Sequence, residues 1–420
     1  MSSSNSSSFY DLIPTSLKPL IEEKVRHYES LSPVSTYTVK TYVARPSSNT
    51  GKILRWGPDD QTYMNHKELI SLLPRGCSDL YMNGSLIVSL RGLPKFDGTS
   101  AIDEDDVPFQ GATEQDLVHR ASLIDATLLQ SWNDQKELET QIIEKANGKF
   151  AIAMLFQHPS SQIWCLFGGS KNVHVVIPLF NDENDEKNAM NKSKREHEAS
   201  TKQKSESLLH FMILHRMAED IRRYCSSNRS SSTDSCCALL EKKALLAEYV
   251  DGKHLIYVDT LQLVYFDTSL PSCFTTLSSE TMVGMPNKEL LRAIRKKEES
   301  EGVVLVYKNT RTGQVIRQKH KTEWYVILRS FRELLCSLST PHFRIVKDGS
   351  SKLIALLVKR LYERSHGYLE LDATAIQLWI DRIERFVPWI LASKYGLEDV
   401  GFSSPIGMAF IWREFYQATY

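Results

Sequence analysis

EGVVLVYKNTRTGQVIRQKHKTEWY, residues 301–325, is the stretch on which the reading of the fold turns. Val303 to Val306 and Gln314 to Ile316 flank Asn309-Thr310-Arg311-Thr312-Gly313, a turn signature. The segment therefore predicts a β-hairpin. Its ends carry charge, with Glu301-Gly302 at the start and Lys319-His320-Lys321 at the finish. Side chains alternate along a strand, so Lys319 and Lys321 share one face. Cations placed in this way can neutralise a phosphate as negative charge builds in a transition state.

Beyond the hairpin, helices dominate from about Phe331. One is expected to begin with Asp372 as its N-cap and to turn Ile376, Trp379, Ile380 and Ile383 toward a core. Before the hairpin the chain reads mainly as short strands. These are Tyr37-Val39-Tyr42-Ala44, Ile53-Arg55-Trp56, Leu86-Val88-Leu90, Phe150-Ile152-Met154-Phe156, Ile163-Cys165-Phe167, Ala247-Tyr249, Leu255-Tyr257-Val258 and Leu261-Leu263-Tyr265. Helices are expected at residues 14–30, at 114–135 (Leu117, Ala121, Ile124 and Leu128 at helical spacing), at 207–224 and at 287–298. Residues 1–8 form a Ser/Asn tail, 181–206 a polar insertion without aromatics, and 226–235 a Ser-rich break. No internal repeat is visible. The expectation is an α+β chain: an N-terminal tail and helix over 1–34, an α+β domain over 35–333 and a helical C-terminal domain over 334–420.

The 420 residues are 42% hydrophobic, enough for two domains, and Lys+Arg equals Asp+Glu at 51 each. Zero net charge leaves nucleic acid open as a partner, because a neutral protein can still carry a basic groove. None of the seven cysteines sits in a C-x-x-C pair, so neither a zinc ribbon nor a disulfide framework is indicated. No signal peptide and no apolar run of about 18 residues is seen. A cytoplasmic or nuclear protein without a membrane span is expected.

Four segments carry chemistry in a suggestive order: Lys145-Ala146-Asn147-Gly148, Glu248-Tyr249-Val250, Glu301-Gly302-Val303-Val304 and Lys319-His320-Lys321. A lysine amine that has lost its proton can attack the α-phosphate of a nucleotide and form a phosphoramidate. Gly148 lets the backbone approach the nucleotide. Glu248 and Glu301 can bind ribose hydroxyls and Mg²⁺ with its waters.

This ordered set resembles the covalent nucleotidyltransferase superfamily, and within it the RNA ligases of the fungal tRNA ligase and phage RNA ligase 1 type. KANG at 145–148 resembles the fungal nucleophile motif, and Gly169-Ser170-Lys171 the Ser-Lys motif that follows it. AEYVDGKHLIY at 247–257, EGVVL at 301–305 and KHKTEWYVILRS at 319–330 resemble the next three motifs. Upstream, Arg91-Gly92-Leu93-Pro94-Lys95-Phe96 resembles an element that contacts the triphosphate, although Asp97-Gly98 stand where the family has Phe-Asn. The likeness spans roughly residues 80–333.

The resemblance implies a nucleotidyltransferase domain of two packed antiparallel sheets with a nucleotide cleft between them. It implies an ATP-dependent RNA ligase that seals 5′-phosphate and 3′-hydroxyl ends through a lysyl-AMP intermediate, in tRNA splicing or RNA repair. Lys145, Lys319 and Lys321 would be catalytic. Arg91, Lys95, Gly148, Lys171, Glu248, Glu301, Lys319 and Lys321 would bind ATP, and Glu248 and Glu301 the Mg²⁺. RNA ends such as tRNA halves would be the partners. No G-x-x-x-x-G-K-[ST] loop is present and only one His-x-Thr (His320-Lys321-Thr322), so end healing is expected to come from elsewhere.

Two lysines compete as nucleophile, since Lys95-Phe96-Asp97-Gly98 matches the K-x-D-G form common in DNA ligases. Lys145 is preferred. It directly precedes an alternating strand, and Lys171 follows in the order the family shows, whereas Lys95 sits in the upstream triphosphate element. The alternatives are a DNA-ligase-like or capping enzyme, a catalytically inactive RNA-binding relative, and a protein AMPylating enzyme.

Overall fold

The computed structural model describes residues 8–31, 34–45, 62–63, 66, 68–94, 98–99, 126–180, 203–227, 233–241, 243–251, 255–267, 269–338, 350–367, 369, 371–401 and 406–420. The chain divides into two units. One comprises Met1–Lys95, Lys149–Tyr249 and Gln262–Thr276; the other comprises Phe96–Gly148, Val250–Leu261 and Leu277–Tyr420.

The first unit holds two sheets. Strands β1 (Ile21–Leu31), β2 (Val34–Ala44), β3 (Cys77–Met82) and β4 (Ser85–Leu90) form an antiparallel meander. The second sheet uses β7 (Lys149–Gln157), β8 (Trp164–Gly169), β9 (His174–Pro178), β10 (Ala244–Val250) and β11 (Gln262–Tyr265), in the order β11-β10-β7-β8-β9. The run FAIAMLF at 150–156 explains the layering. Ile152 and Phe156 face Val39, Leu80 and Leu90 of the meander, while Ala151, Ala153 and Leu155 face Ile213, Met217 and Ile221. The last three residues lie on a helix, Gln203–Ser227, beside a shorter one, Thr233–Leu240. A strand covered on both faces is apolar throughout instead of alternating with polar residues.

The second unit holds a sheet in the order β12-β6-β13-β14-β5, with β5 Gly98–Thr99, β6 Leu138–Glu144, β12 Ser279–Val283, β13 Gly302–Asn309 and β14 Val315–Lys321. The expected hairpin is β13–β14, paired antiparallel. Helices α1 (Ala126–Asp134) and α2 (Lys288–Arg295) contribute Leu129, Trp132 and Leu291 to a cluster with Leu138, Ile142, Leu305, Tyr307 and Ile316 on one face of this sheet. Four helices complete the unit: α3 (Glu323–Leu338), α4 (Ser350–Gly367), α5 (Ala373–Ala392) and α6 (Met408–Thr419). Asp372 caps α5, its side chain accepting from Ala375 N at 2.8 Å. Trp379 and Ile383 are buried in the helical core, and Ile376 and Ile380 pack against it. Arg382 sits 4.8 Å from the Trp379 ring centre and 5.7 Å from that of Trp324, with Glu298 as its ion-pair partner at 2.7 Å.

Several expectations need correction. Residues 14–30 are not one helix: a short 3₁₀ turn at Lys18–Leu20 leads into β1. Every residue of β1 pairs with β2, from Ile21↔Ala44 to Leu31↔Val34, and this long-range ladder overrides the local helical spacing. Residues 1–34 are therefore not a separate segment, since β1 and β2 form one hairpin within the first unit. Leu255 and Ile256 lie in no strand, because their backbone amides donate to the Asn147 side chain. The helical module begins at Glu323, ahead of 334. Among the described residues the sheets number three, and β14–β5 is a parallel pair. The expected tail at 1–7, the strand at 53–56, the start of the helix at 114–125, the insertion at 181–202 and the middle of the Ser-rich break at 228–232 lie outside the described residues. Among the described residues no helix is long and apolar enough to cross a membrane, and the seven cysteines are free thiols.

Phe386 is fully buried in the helical core, with its ring centre 4.9 Å from that of Trp412. Phe386→Ala should lower stability by about 3–5 kcal/mol through lost burial and a residual cavity. Urea denaturation followed by tryptophan fluorescence would measure it, since Trp324, Trp379 and Trp412 report from the same cluster.

Candidate active site

The second unit gathers three of the expected residues around one carboxylate. The register of its sheet explains how. Glu144, the last residue of β6, pairs with Val303, and Lys145 N extends the ladder by donating to Gly302 O at 2.9 Å. Gly302 in turn pairs with Lys321. Lys145, Gly302 and Lys321 therefore form a row across three strands. The next row on the same face is Ile143, Val304 and Lys319, all half-buried. The opposite face carries Ile142, Val303, Leu305 and His320, on the side of α1 and α2.

The centre of the first row must be glycine. Gly302 has φ +129°, and a Cβ there would stand 2.1 Å from His320 O and 2.7 Å from Lys321 Cα. Glu301, just before it, is buried. Its Oε1 accepts from Lys145 Nζ at 2.7 Å and its Oε2 from Asn147 Nδ2 at 2.8 Å. Asn147 uses its other end as well: Oδ1 accepts from Leu255 N at 3.0 Å and from Ile256 N at 3.4 Å. One buried amide thus ties the lysine loop, the carboxylate and the 255–256 backbone together.

Burial alone would raise the pKa of Glu301. The charges of Lys145 and Lys321, with hydrogen bonds from Lys145 and Asn147, outweigh burial and hold it below its ordinary value. The Lys145 and Glu301 side chains are only 17% and 6% exposed, so water screens this pair poorly.

The flanking residues have structural duties. His320 is buried with Nε2 3.1 Å from Leu291 O, and burial pushes its pKa down, so it stays neutral between two lysines. Thr322 ends the strand and starts α3. Its hydroxyl donates to Ser300 O at 2.5 Å and accepts from Tyr325 N at 3.1 Å, while its own N–H donates to Glu301 O at 3.1 Å. Trp324 is buried against Trp379 and Trp412 and is a core residue.

Three of the remaining expected residues, Glu248, Lys171 and Arg91, lie in the first unit. Glu248 is half-buried on β10 opposite Phe150, whose ring stacks on Phe266 with centres 6.3 Å apart. Lys171 lies in the β8–β9 turn, and Arg91 follows β4 with its guanidinium 5.3 Å from the centre of the Phe9 ring. Lys95 lies outside the described residues, and Gly148 follows Asn147 at the end of the second unit's segment.

No family model, curated protein or solved structure matches this chain. The site therefore has to be read from its own geometry. Each oxygen of Glu301 is engaged by one nitrogen donor, Lys145 Nζ and Asn147 Nδ2. Among the described residues no three His, Cys, Asp or Glu converge as metal ligands. Asn147 and Thr322 were given no role in the sequence reading. A buried amide that can donate to a carboxylate while accepting from the backbone is the signal that the motif Lys-Ala-Asn-Gly contained.

Because the folded state lowers the pKa of Glu301, the ionised form supports the fold. That contribution is complete above the ordinary glutamate value of about 4.3 and is lost as pH falls through the lower folded value. Glu301→Gln should therefore cost about 3–5 kcal/mol at neutral pH, having broken a buried pair. The difference in melting temperature between wild type and variant should narrow only below about pH 4. A gap that closes already between neutral pH and about pH 6 would contradict this account.

Proposed function

We propose that the chain is an ATP-dependent RNA ligase whose nucleophile is Lys145. The observation that carries this reading is the sheltered cluster of Lys145, Glu301, Asn147 and Lys321 on one face of the sheet, with Lys319 in the next row. A lone salt bridge would be ordinary. Here a nearly buried lysine is held at 2.7 Å by a carboxylate that a second buried lysine also stabilises, and a glycine without which the register fails lies between them.

In the proposed first step the ammonium of Lys145 gives one proton to Glu301, the acceptor within reach. The free amine then attacks the α-phosphorus of ATP, an N–P bond forms as the P–O bond to pyrophosphate breaks, and the second nitrogen proton leaves with the pyrophosphate. Glu301 thus has two tasks: it docks the ammonium at rest and takes its proton before attack. Lys321 and Lys319, on the same face, offset charge on the α-phosphate. The AMP then passes to an RNA 5′-phosphate, and a 3′-hydroxyl displaces it to seal the strand. Arg91 and Glu248 are proposed to contact the nucleotide, as the family resemblance implies. RNA, rather than DNA, follows from the likeness of KANG and KHKTEWY to the RNA-joining branch.

Incubation with ATP and magnesium should add one AMP to the purified protein, read as a mass gain and mapped to Lys145. Lys145→Ala should form no adduct but should still seal RNA already adenylylated at its 5′ end, because that step bypasses the lysine. AMP on Lys95 would overturn the assignment. Joining of DNA nicks in preference to RNA would favour the DNA-ligase-like alternative, transfer of label to other proteins would favour AMPylation, and a folded chain that takes no AMP would be an inactive relative.

A further inference from the structure

A second concentration of positive charge lies wholly within the first unit. A cavity of about 210 Å³ is lined by Lys24, Arg75, Lys171 and Asn172, with Glu22 as the one carboxylate. Three different backbone devices deliver the cations. Lys24 comes from β1, the outermost strand of the meander, where it pairs with Thr41 and is exposed to solvent.

Arg75 is held by the segment that carries Arg91. Its N–H donates to Leu93 O at 2.9 Å. Gly92 permits the approach, since a Cβ there would stand 1.8 Å from Arg75 O, and Gly76 turns the chain with φ +76°. Lys171 is presented by the turn between β8 and β9. Gly169 has φ +153°, a Cβ on it would meet Val173 O at 2.2 Å, and Ser170 N donates to Val173 O at 3.1 Å.

We infer that this cavity binds a terminal phosphate group, the 5′-phosphate of an RNA strand. One guanidinium and two ammonium groups against a single carboxylate suit a phosphate monoester dianion, and arginine offers paired donors to its oxygens. A hollow accepts a chain end, whereas phosphates inside a strand need a continuous groove. The identity of the strand rests on the proposed RNA-joining function; the recognition of phosphate does not.

The test compares binding of the full chain, without ATP, to a short RNA carrying a 5′-phosphate and to the same RNA with a 5′-hydroxyl, by fluorescence anisotropy. Wild type should prefer the phosphorylated strand by about tenfold, the effect of one or two charge-assisted hydrogen bonds. Lys24→Gln, and Lys24→Gln with Arg75→Gln, should bring the two affinities together while AMP-adduct formation stays at the wild-type level. Lys24 is exposed, so the single variant still answers if the double variant fails to fold. Equal binding of the two strands by wild type, or a preference that survives the substitutions, would overturn the inference. So would a rise in the ATP concentration needed for adduct formation in a variant, which would assign the cavity to the nucleotide's own phosphates. Because the binding is read without ATP, a chain that never takes AMP would refute the ligase reading and still decide this one.

Discussion

A carboxylate taken out of water must find its compensation inside the protein, and Glu301 is the point at which this requirement organises the second unit. Its two oxygens draw in one lysine and one asparagine, and a second lysine contributes charge from the neighbouring strand. None of these hydrogen-bond partners is close in sequence: Lys145 and Asn147 precede Glu301 by more than a hundred residues. The sheet brings them together, and it can do so because Gly302 lets β13 and β14 approach where any side chain would collide. The electrostatics depend on the register, and the register depends on one missing Cβ.

The segment Lys319-His320-Lys321-Thr322 shows how four consecutive residues divide their duties by strand parity and by termination. The lysines take one face, along with Ile143, Val304 and Lys145. His320 takes the other, where burial keeps it neutral and the Leu291 carbonyl holds its ring. A permanent charge at position 320 would have to be taken out of water, so the middle of the motif is constrained by burial while its ends carry charge.

Local features were legible before any coordinates. The turn at 309–313 revealed the hairpin, period-two alternation put Lys319 and Lys321 on one face, and Asp372 marked the start of a helix. What stayed hidden was decided by partners outside each segment. Glu22 to Glu29 carry charges at a spacing that suits a helix, and only the complete ladder to β2 makes them a strand. Leu255 to Val258 looks like a strand, yet the Asn147 side chain occupies the amides at 255 and 256. The same logic applies to the site. The residue types were visible in their motifs, but the double use of Asn147 required knowing which backbone would arrive beside it.

Thr322 belongs to the end of β14 and to the helical bundle at once: its amide holds the carbonyl of Glu301 and its hydroxyl caps α3. No linker separates the two, so no slack is available to absorb a shift in the bundle. Selection for the geometry around Glu301 is thereby extended to the tryptophans packed behind α3. Those side chains are expected to drift slowly among relatives, and to change together when they change, because they keep a helix end still.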